Sequence, residues 1–180
     1  MWAGQLTQTI KELVRSRRES GWIEYKVNVL DPDKTGEYIS ALANSAAIDG
    51  VEHGYVVWGI ADGDRAVVGT SADPWTDKIG NEDLIPWLRR LITPATADFE
   101  FHEIEIEGKR IVVLVIEPAA SSPVQFRGNE FVRDGSYVKD LRRHPAKAKR
   151  LWASFDRTAF EDRACGDPVR SDDVFRLLNV

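Results

Sequence analysis

Apolar residues recur at Leu6, Ile10, Leu13 and Val14, the spacing of one helix face, with Lys11, Arg15, Arg17 and Arg18 on or near the wet side. The period then changes to two. Over residues 22–27, Ile23, Tyr25 and Val27 fall on one face and Trp22, Glu24 and Lys26 on the other, which predicts a strand with the first set inward. Ser20-Gly21 before it predicts a turn. Glu19 and Glu24 are five positions apart and would face opposite sides of one continuous strand, so they converge only if Glu19 lies on that turn.

Asp31-Pro32-Asp33 marks another turn, and Asp33 or Thr35 caps a helix striped by Tyr38, Ile39, Leu42 and Ala43. That helix is expected to end near Asn44-Ser45, leaving 46–53 as a loop. Residues 54–61 are a nearly unbroken apolar run, the mark of a central strand, and Asp62-Gly63-Asp64 turns it into a hairpin with 66–69. Helical spacing returns through Leu84, Ile85, Leu88, Leu91 and Ile92; Pro86 moves the expected start from Asn81 to nearer Asp83, and Pro94 stops it. Residues 101–107 alternate and 110–116 are continuously apolar, which predicts a hairpin with one half-wet and one buried strand, Glu103, Glu105 and Glu107 forming the solvated face. Two short strands, 124–126 and 130–133, are joined at Gly128-Asn129 and closed by Asp134-Gly135-Ser136. Pro145 suits the first turn of a helix that buries Ala148, Leu151, Trp152 and Phe155. Beyond Thr158 the chain reads as charged and loose, with a short helix capped at Ser171 and carrying Val174, Leu177 and Leu178.

At 180 residues and 43% hydrophobic content the chain buries one good core. The expected organisation is one domain over 1–155, with 156–180 as a tail or the start of a further domain. The single cysteine, Cys165, excludes an internal disulfide framework and a cysteine zinc cluster. No run approaches the roughly 18 apolar residues of a membrane span, and Glu12 and Arg15 interrupt any signal-peptide pattern. A cytoplasmic protein with no membrane partner is expected.

The net charge of −5 is unevenly distributed. Residues 49–126 carry 6 basic and 14 acidic groups, whereas 127–150 carry 8 basic and 3 acidic. A basic stretch in an acidic chain is compatible with phosphate binding, the alternative being a solvated helix face. Its candidate residues are Arg127, Arg133, Lys139, Arg142, Arg143, Lys147, Lys149 and Arg150, with Arg15, Arg17 and Arg18 from the first helix. His53, His102 and His144 have no spacing for a zinc site or a triad. No Gly-rich phosphate loop of the Walker type is present.

The pieces Glu19-Ser20-x-x-x-Glu24-Tyr25-Lys26, Ala41-Leu42-Ala43-Asn44-Ser45, Gly54-Tyr55-Val56-Val57-Trp58-Gly59-Ile60-x-Asp62 and Val67-Val68-Gly69 occur in order. This order and spacing resemble the Schlafen AlbA-type domain, a family commonly described as DNA-binding. Pro123-Val124-x-Phe126 and Phe131-Val132-Arg133-x-Gly135-Ser136 look like its closing hairpin, so the resemblance covers roughly residues 8 to 155. There are two departures: Tyr25 stands where Phe is usual, and residues 46–53 intervene where a Gly-Gly pair commonly follows the Asn. The resemblance implies an α+β fold with a mixed, strongly curved β-sheet flanked by helices, usually in front of further domains.

Nuclease-active members of the family cut structured RNA such as tRNA, and the resemblance assigns the work to three carboxylates. Here they are Glu19, Glu24 and Asp62, which would hold Mg²⁺ or Mn²⁺, with Lys26 steadying the transition state. Without a metal the carboxylates would repel phosphate. Each also has a plainer reading: Asp62 as a turn residue, Glu24 and Lys26 as an exposed strand face, Glu19 as a cap, and Trp22 and Trp58 as core. The first reading is a nucleic-acid-binding domain, RNA or DNA, of a larger effector or regulator, needing no cofactor. The alternatives are a metal-dependent endoribonuclease and a protein-interaction module without nucleic-acid contact. Whether the protein is a homo-oligomer stays open at this level.

Overall fold

The computed structural model describes residues 3–16 and 20–166, with side chains over 4–16 and 20–156. In chain order the elements are α1 (Ala3–Ser16), β1 (Ile23–Lys26), α2 (Pro32–Asp49), β2 (Gly54–Trp58), β3 (Lys78–Ile79), β4 (Glu82–Asp83), α3 (Leu84–Leu91), β5 (Ile92–Thr93), β6 (Phe99–Ile106), β7 (Lys109–Ile116), β8 (Gln125–Phe126), β9 (Asn129–Asp134), β10 (Tyr137–Asp140), the 3-10 turn η1 (Leu141–Arg143) and α4 (Pro145–Gly166). This is an α+β fold in which helices pack on one mixed and one antiparallel four-stranded sheet.

A four-stranded sheet in the order β1-β2-β7-β6 carries the core. β1 runs parallel to β2, and the other two pairings are antiparallel. Val56, Trp58, Val112, Leu114 and Ile116 face Ile39, Leu42 and Ala43 of α2 and Leu84 and Leu88 of α3. On the opposite face Tyr55, Val57, Val113 and Val115 join Ile23 and Tyr25 of β1 and Leu6 and Ile10 of α1. With both faces covered, every residue of β2 is buried, which explains its unbroken apolar run. The 101–107 and 110–116 segments form the expected hairpin of a half-exposed and a buried strand. β1 stops at Lys26, so Val27, expected inside, is 49% exposed. There the backbone turns away: the Gly59 N–H donates to the carbonyls of Lys26 and Val27 at 2.8 and 3.0 Å. Gly59 has φ 104°, and a Cβ on it would lie 2.5 Å from the Ile111 side chain, so only glycine fits.

A second four-stranded sheet, β10-β9-β8-β5, is antiparallel throughout and packs on α2. This contact overturns the expected end of α2 at Asn44-Ser45. Asn and Ser disfavour helix interiors because their side chains compete for nearby backbone groups. Here those side chains are directed to the hairpin instead. Asn44 donates to the carbonyls of Val124 and Phe131 at 2.9 and 2.8 Å and accepts from the Val124 N–H at 2.8 Å. Ser40 donates to the Val124 carbonyl and accepts from the Phe131 N–H, while Ser45 accepts from the Arg133 N–H. The helix therefore runs four residues further and closes on Gly50, in the left-handed region at φ 66°. At its other end Asp31, rather than Asp33 or Thr35, is the cap, accepting from the Lys34 N–H at 2.9 Å with Pro32 in the first turn.

Other expectations also shift. The 62–69 hairpin forms no extended ladder: an isolated bridge pairs Ile60 with Val67, and the Ala61 and Val68 N–H groups donate to the carbonyls of Ala66 and Gly59 at 2.9 and 2.8 Å. α3 begins after Asp83, with Pro86 within the first turn, where no intrahelical N–H bond is lost. β10 was not foreseen: its residues alternate only between exposed and half-buried, so no apolar period marks it. In α4, Leu151 and Phe155 are buried as expected, but Trp152 is 53% exposed. The α4 backbone stays helical past Thr158, to Gly166. The helix expected from Ser171 lies outside the described residues.

Candidate functional site

Glu24 and Lys26 sit on β1, the edge strand, on the side opposite Ile23 and Tyr25 and facing α2 and β9. Each Glu24 carboxylate oxygen meets a cation: Lys26 Nζ lies 2.6 Å from Oε1 and Arg133 Nη1 2.6 Å from Oε2. The Glu24 and Arg133 side chains are 11% and 4% exposed. Lys26 also lies 5.3 Å from the centre of the Tyr38 ring. Burial acts to lower the Lys26 pKa, but its bonds to Glu24 and Tyr38 outweigh that and raise it. β9 presents Arg133 inward because Ser45 holds its N–H, and Lys147 of α4 donates to its carbonyl.

Asp62 projects from the turn after β2, its side chain 80% exposed and 3.8 Å from Arg65 Nη1. It shares with Glu24 a cleft of about 450 Å³, also lined by Ser20, Arg65, Arg133 and Ser136. The structure thus brings Glu24 and Asp62 to one cavity. Glu19, with Arg17 and Arg18, lies outside the described residues, although its neighbour Ser20 reaches the cleft. Arg65 was missed by sequence reasoning. Its signal was an isolated cation directly after Asp62-Gly63-Asp64 in an otherwise acidic segment. It has φ 61°, and its guanidinium stacks 3.9 Å from the Tyr25 ring centre.

The basic segment divides. Arg133 is interior and paired, not a solvated cation. Arg127 pairs with Asp33 at 2.9 Å, Lys147 with Asp134 at 3.0 Å and Arg150 with Asp49 at 3.5 Å. Lys139, Arg142, Arg143 and Lys149 are exposed and have no described carboxylate within 4 Å. Arg15 is exposed on α1. Trp58 is core, 1% exposed, and donates to the Val29 carbonyl at 3.0 Å; Trp22 is half-buried, edge-on to Tyr55.

Among the described residues no group of three His, Cys, Asp or Glu side chains is arranged to hold a metal ion. Both oxygens of Glu24 already face cations, which disfavours a second, divalent partner. The described donor set therefore does not fit a bound Mg²⁺ or Mn²⁺.

The family model described as Schlafen, AlbA_2 matches residues 19–142, more than half of the chain. The chain belongs to the Schlafen AlbA_2 family. No curated protein matches it. Among solved structures, the DIP2311 protein from Corynebacterium diphtheriae is 16% identical with a TM-score of 0.50 over 76% of this chain, and the chain spans only 26% of that protein. At that identity the likeness bears on the fold alone. The N-terminal domain of a putative ATP-dependent DNA helicase RecG-related protein from Nitrosomonas europaea is 23% identical, with a TM-score of 0.40 over 72% of this chain and 88% of its own. Within the AlbA_2 match, the Asn44-Ser45 motif has a structural task here, tying α2 to β8 and β9.

The buried rings around the AlbA_2 site make one prediction about pH. Burial pushes the Tyr25 hydroxyl up to about 12, against the opposing pull of Arg65, and burial with Glu52 and Glu117 does the same for Tyr55. Tyr38 and Lys26 also move upward. All four hold protons more tightly folded than unfolded, so their contribution is intact below about pH 10 and is lost as pH rises toward about 12. The unfolding free energy from urea denaturation should therefore fall between about pH 10 and 12, on the order of 1 kcal/mol per pH unit. Tyr25→Phe should flatten that slope; an unchanged slope would remove Tyr25 from the account.

Proposed function

We propose that this domain binds nucleic acid by gripping the phosphate backbone with the exposed cations of β10, η1 and the start of α4. The observation that supports this is the run Lys139, Arg142, Arg143 and Lys149, exposed and without a described carboxylate partner. Tyr137 and Trp152, 67% and 53% exposed on the same elements, supply flat apolar surface of the kind on which bases stack. Charge-driven binding releases counterions, so affinity for single-stranded RNA or DNA should fall linearly on a log–log salt plot. Arg142→Gln with Arg143→Gln should reduce that slope by about 0.7 for each phosphate contact removed. Affinity that does not change with salt would favour the interaction-module reading, in which the domain meets a protein partner.

Cleavage of structured RNA is the second reading, favoured by Glu24 and Asp62 lining one cleft. Its check is cleavage of a tRNA mixture with added Mn²⁺ or Mg²⁺. Asp62→Ala is the informative variant because Asp62 is exposed and its loss spares the fold. If that variant cuts like the parent, Asp62 has no part in cleavage.

A further inference from the structure

Two arginines in the cleft between β1, the Asp62 turn and the β9–β10 turn carry N–H groups without a partner among the described residues. Arg133 is 5% exposed; its Nη1 meets Glu24 at 2.6 Å, but its Nε has no hydrogen-bond acceptor among the described residues. Arg65, its side chain 13% exposed, is held flat on Tyr25, and its Nη1 is also unsatisfied, Asp62 standing off at 3.8 Å. A buried cationic donor without an acceptor is rare in folded proteins because its lost hydration is not replaced. Two such donors on one cavity mark the place of an acceptor-rich ligand.

The chemistry of the lining selects among acceptors. Among the described groups that line it, Arg65 and Arg133 balance Glu24 and Asp62, so it is the unmatched guanidinium N–H groups, not a surplus of positive charge, that favour an acceptor-rich anion. Guanidinium forks match phosphate oxygens, and Ser20 and Ser136 add hydroxyls. The volume of about 450 Å³ falls within the range of small-ligand sites. We infer that this cleft is a metal-independent binding site for the phosphate group of a nucleotide, held by Arg65 and Arg133. A second cavity of about 270 Å³ meets the first at Ser20, Arg133 and Gly135 and reaches Lys147 and Arg150 on α4. Lys147 and Arg150 keep Asp134 and Asp49 as partners there, so it is the continuity of the two cavities, with room for a strand beyond the first phosphate, that favours a nucleic-acid end or backbone over a free nucleotide. The inference does not rest on the basic-face reading, whose test is the salt slope of an oligonucleotide without terminal phosphates.

The experiment is equilibrium binding in EDTA, with inorganic phosphate, a mononucleotide, and a short single-stranded RNA with and without a 5′-phosphate as probes. The 5′-phosphorylated RNA should bind about ten-fold tighter than its unphosphorylated form, and phosphate should compete. Arg65→Gln should abolish that difference. Asp62→Asn, which removes an exposed negative charge from the cleft mouth, should tighten phosphate binding about two- to five-fold; Ser136→Asp should weaken it. The mononucleotide binding as tightly as the phosphorylated RNA would assign the site to free nucleotides, leaving the phosphate site itself standing. The inference is overturned if neither phosphate nor any phosphorylated probe binds in EDTA, if binding appears only when Mg²⁺ or Mn²⁺ is added, or if Arg65→Gln and Asp62→Asn bind like the parent.

Discussion

Asn44→Leu should lower the unfolding free energy by about 2–5 kcal/mol, a large part of the ~5–15 kcal/mol typical of a domain. Asn44 is fully buried and uses both ends of its amide on the β8–β9 hairpin. Leucine fills a similar volume but leaves the Val124 N–H and the Phe131 carbonyl without that partner, while the Val124 carbonyl keeps its bond from Ser40. Each buried backbone group left unmatched costs about 1–3 kcal/mol. Ser45→Ala, which removes only the acceptor for the Arg133 N–H, should cost less, about 1 kcal/mol. Chemical denaturation measures both. Amide exchange locates the damage, since protection should fall first in β8 and β9 if the hairpin is tied to α2 through Asn44. A midpoint within experimental error of the parent would show that the hairpin is held by apolar packing alone.

The same residue shows what the sequence reveals and what it hides. The period-two pattern of β1 and β6, the continuous run of β2 and the helical stripe of α1 are visible because each element's burial repeats with its own geometry. The length of α2 is hidden because Ser40, Asn44 and Ser45 are polar on a buried face, a pattern that reads as a helix end until the hairpin that binds them is known. β10 has no buried face to repeat. Trp152 is apolar and on the helix, yet it points away from the core that takes Leu151 and Phe155. For the site, the family motif marks Glu24 and Asp62, and both open on one cleft. Arg133 is misread by counting charge along the chain, because its partner, Glu24, is on a strand far away in sequence. A cation between Val132 and Asp134 on a short strand is the trace it leaves.

Glu24→Leu should be the second severe substitution, costing about 3–5 kcal/mol, because it strands the Arg133 guanidinium in the interior without a counter-charge. Lys26, half-exposed, can turn to water and adds little to the loss. Arg133→Met in the same chain should recover most of it, since two apolar side chains of comparable size need neither charge nor hydrogen-bond partner. A double-mutant cycle by urea denaturation checks this: the double variant should be markedly more stable than the sum of the single losses. Simple additivity would mean that Glu24 and Arg133 do not depend on one another. The result also bears on any cleavage assay. A Glu24 variant that loses activity while losing several kcal/mol of stability says nothing about chemistry at that carboxylate, because the site around it has come apart. Asp62, exposed and paired only distantly with Arg65, has no such structural debt. Its substitution therefore separates a role in catalysis from a role in shaping the cleft, and the sign of its effect on phosphate binding separates a metal-holding carboxylate from one that merely repels the ligand.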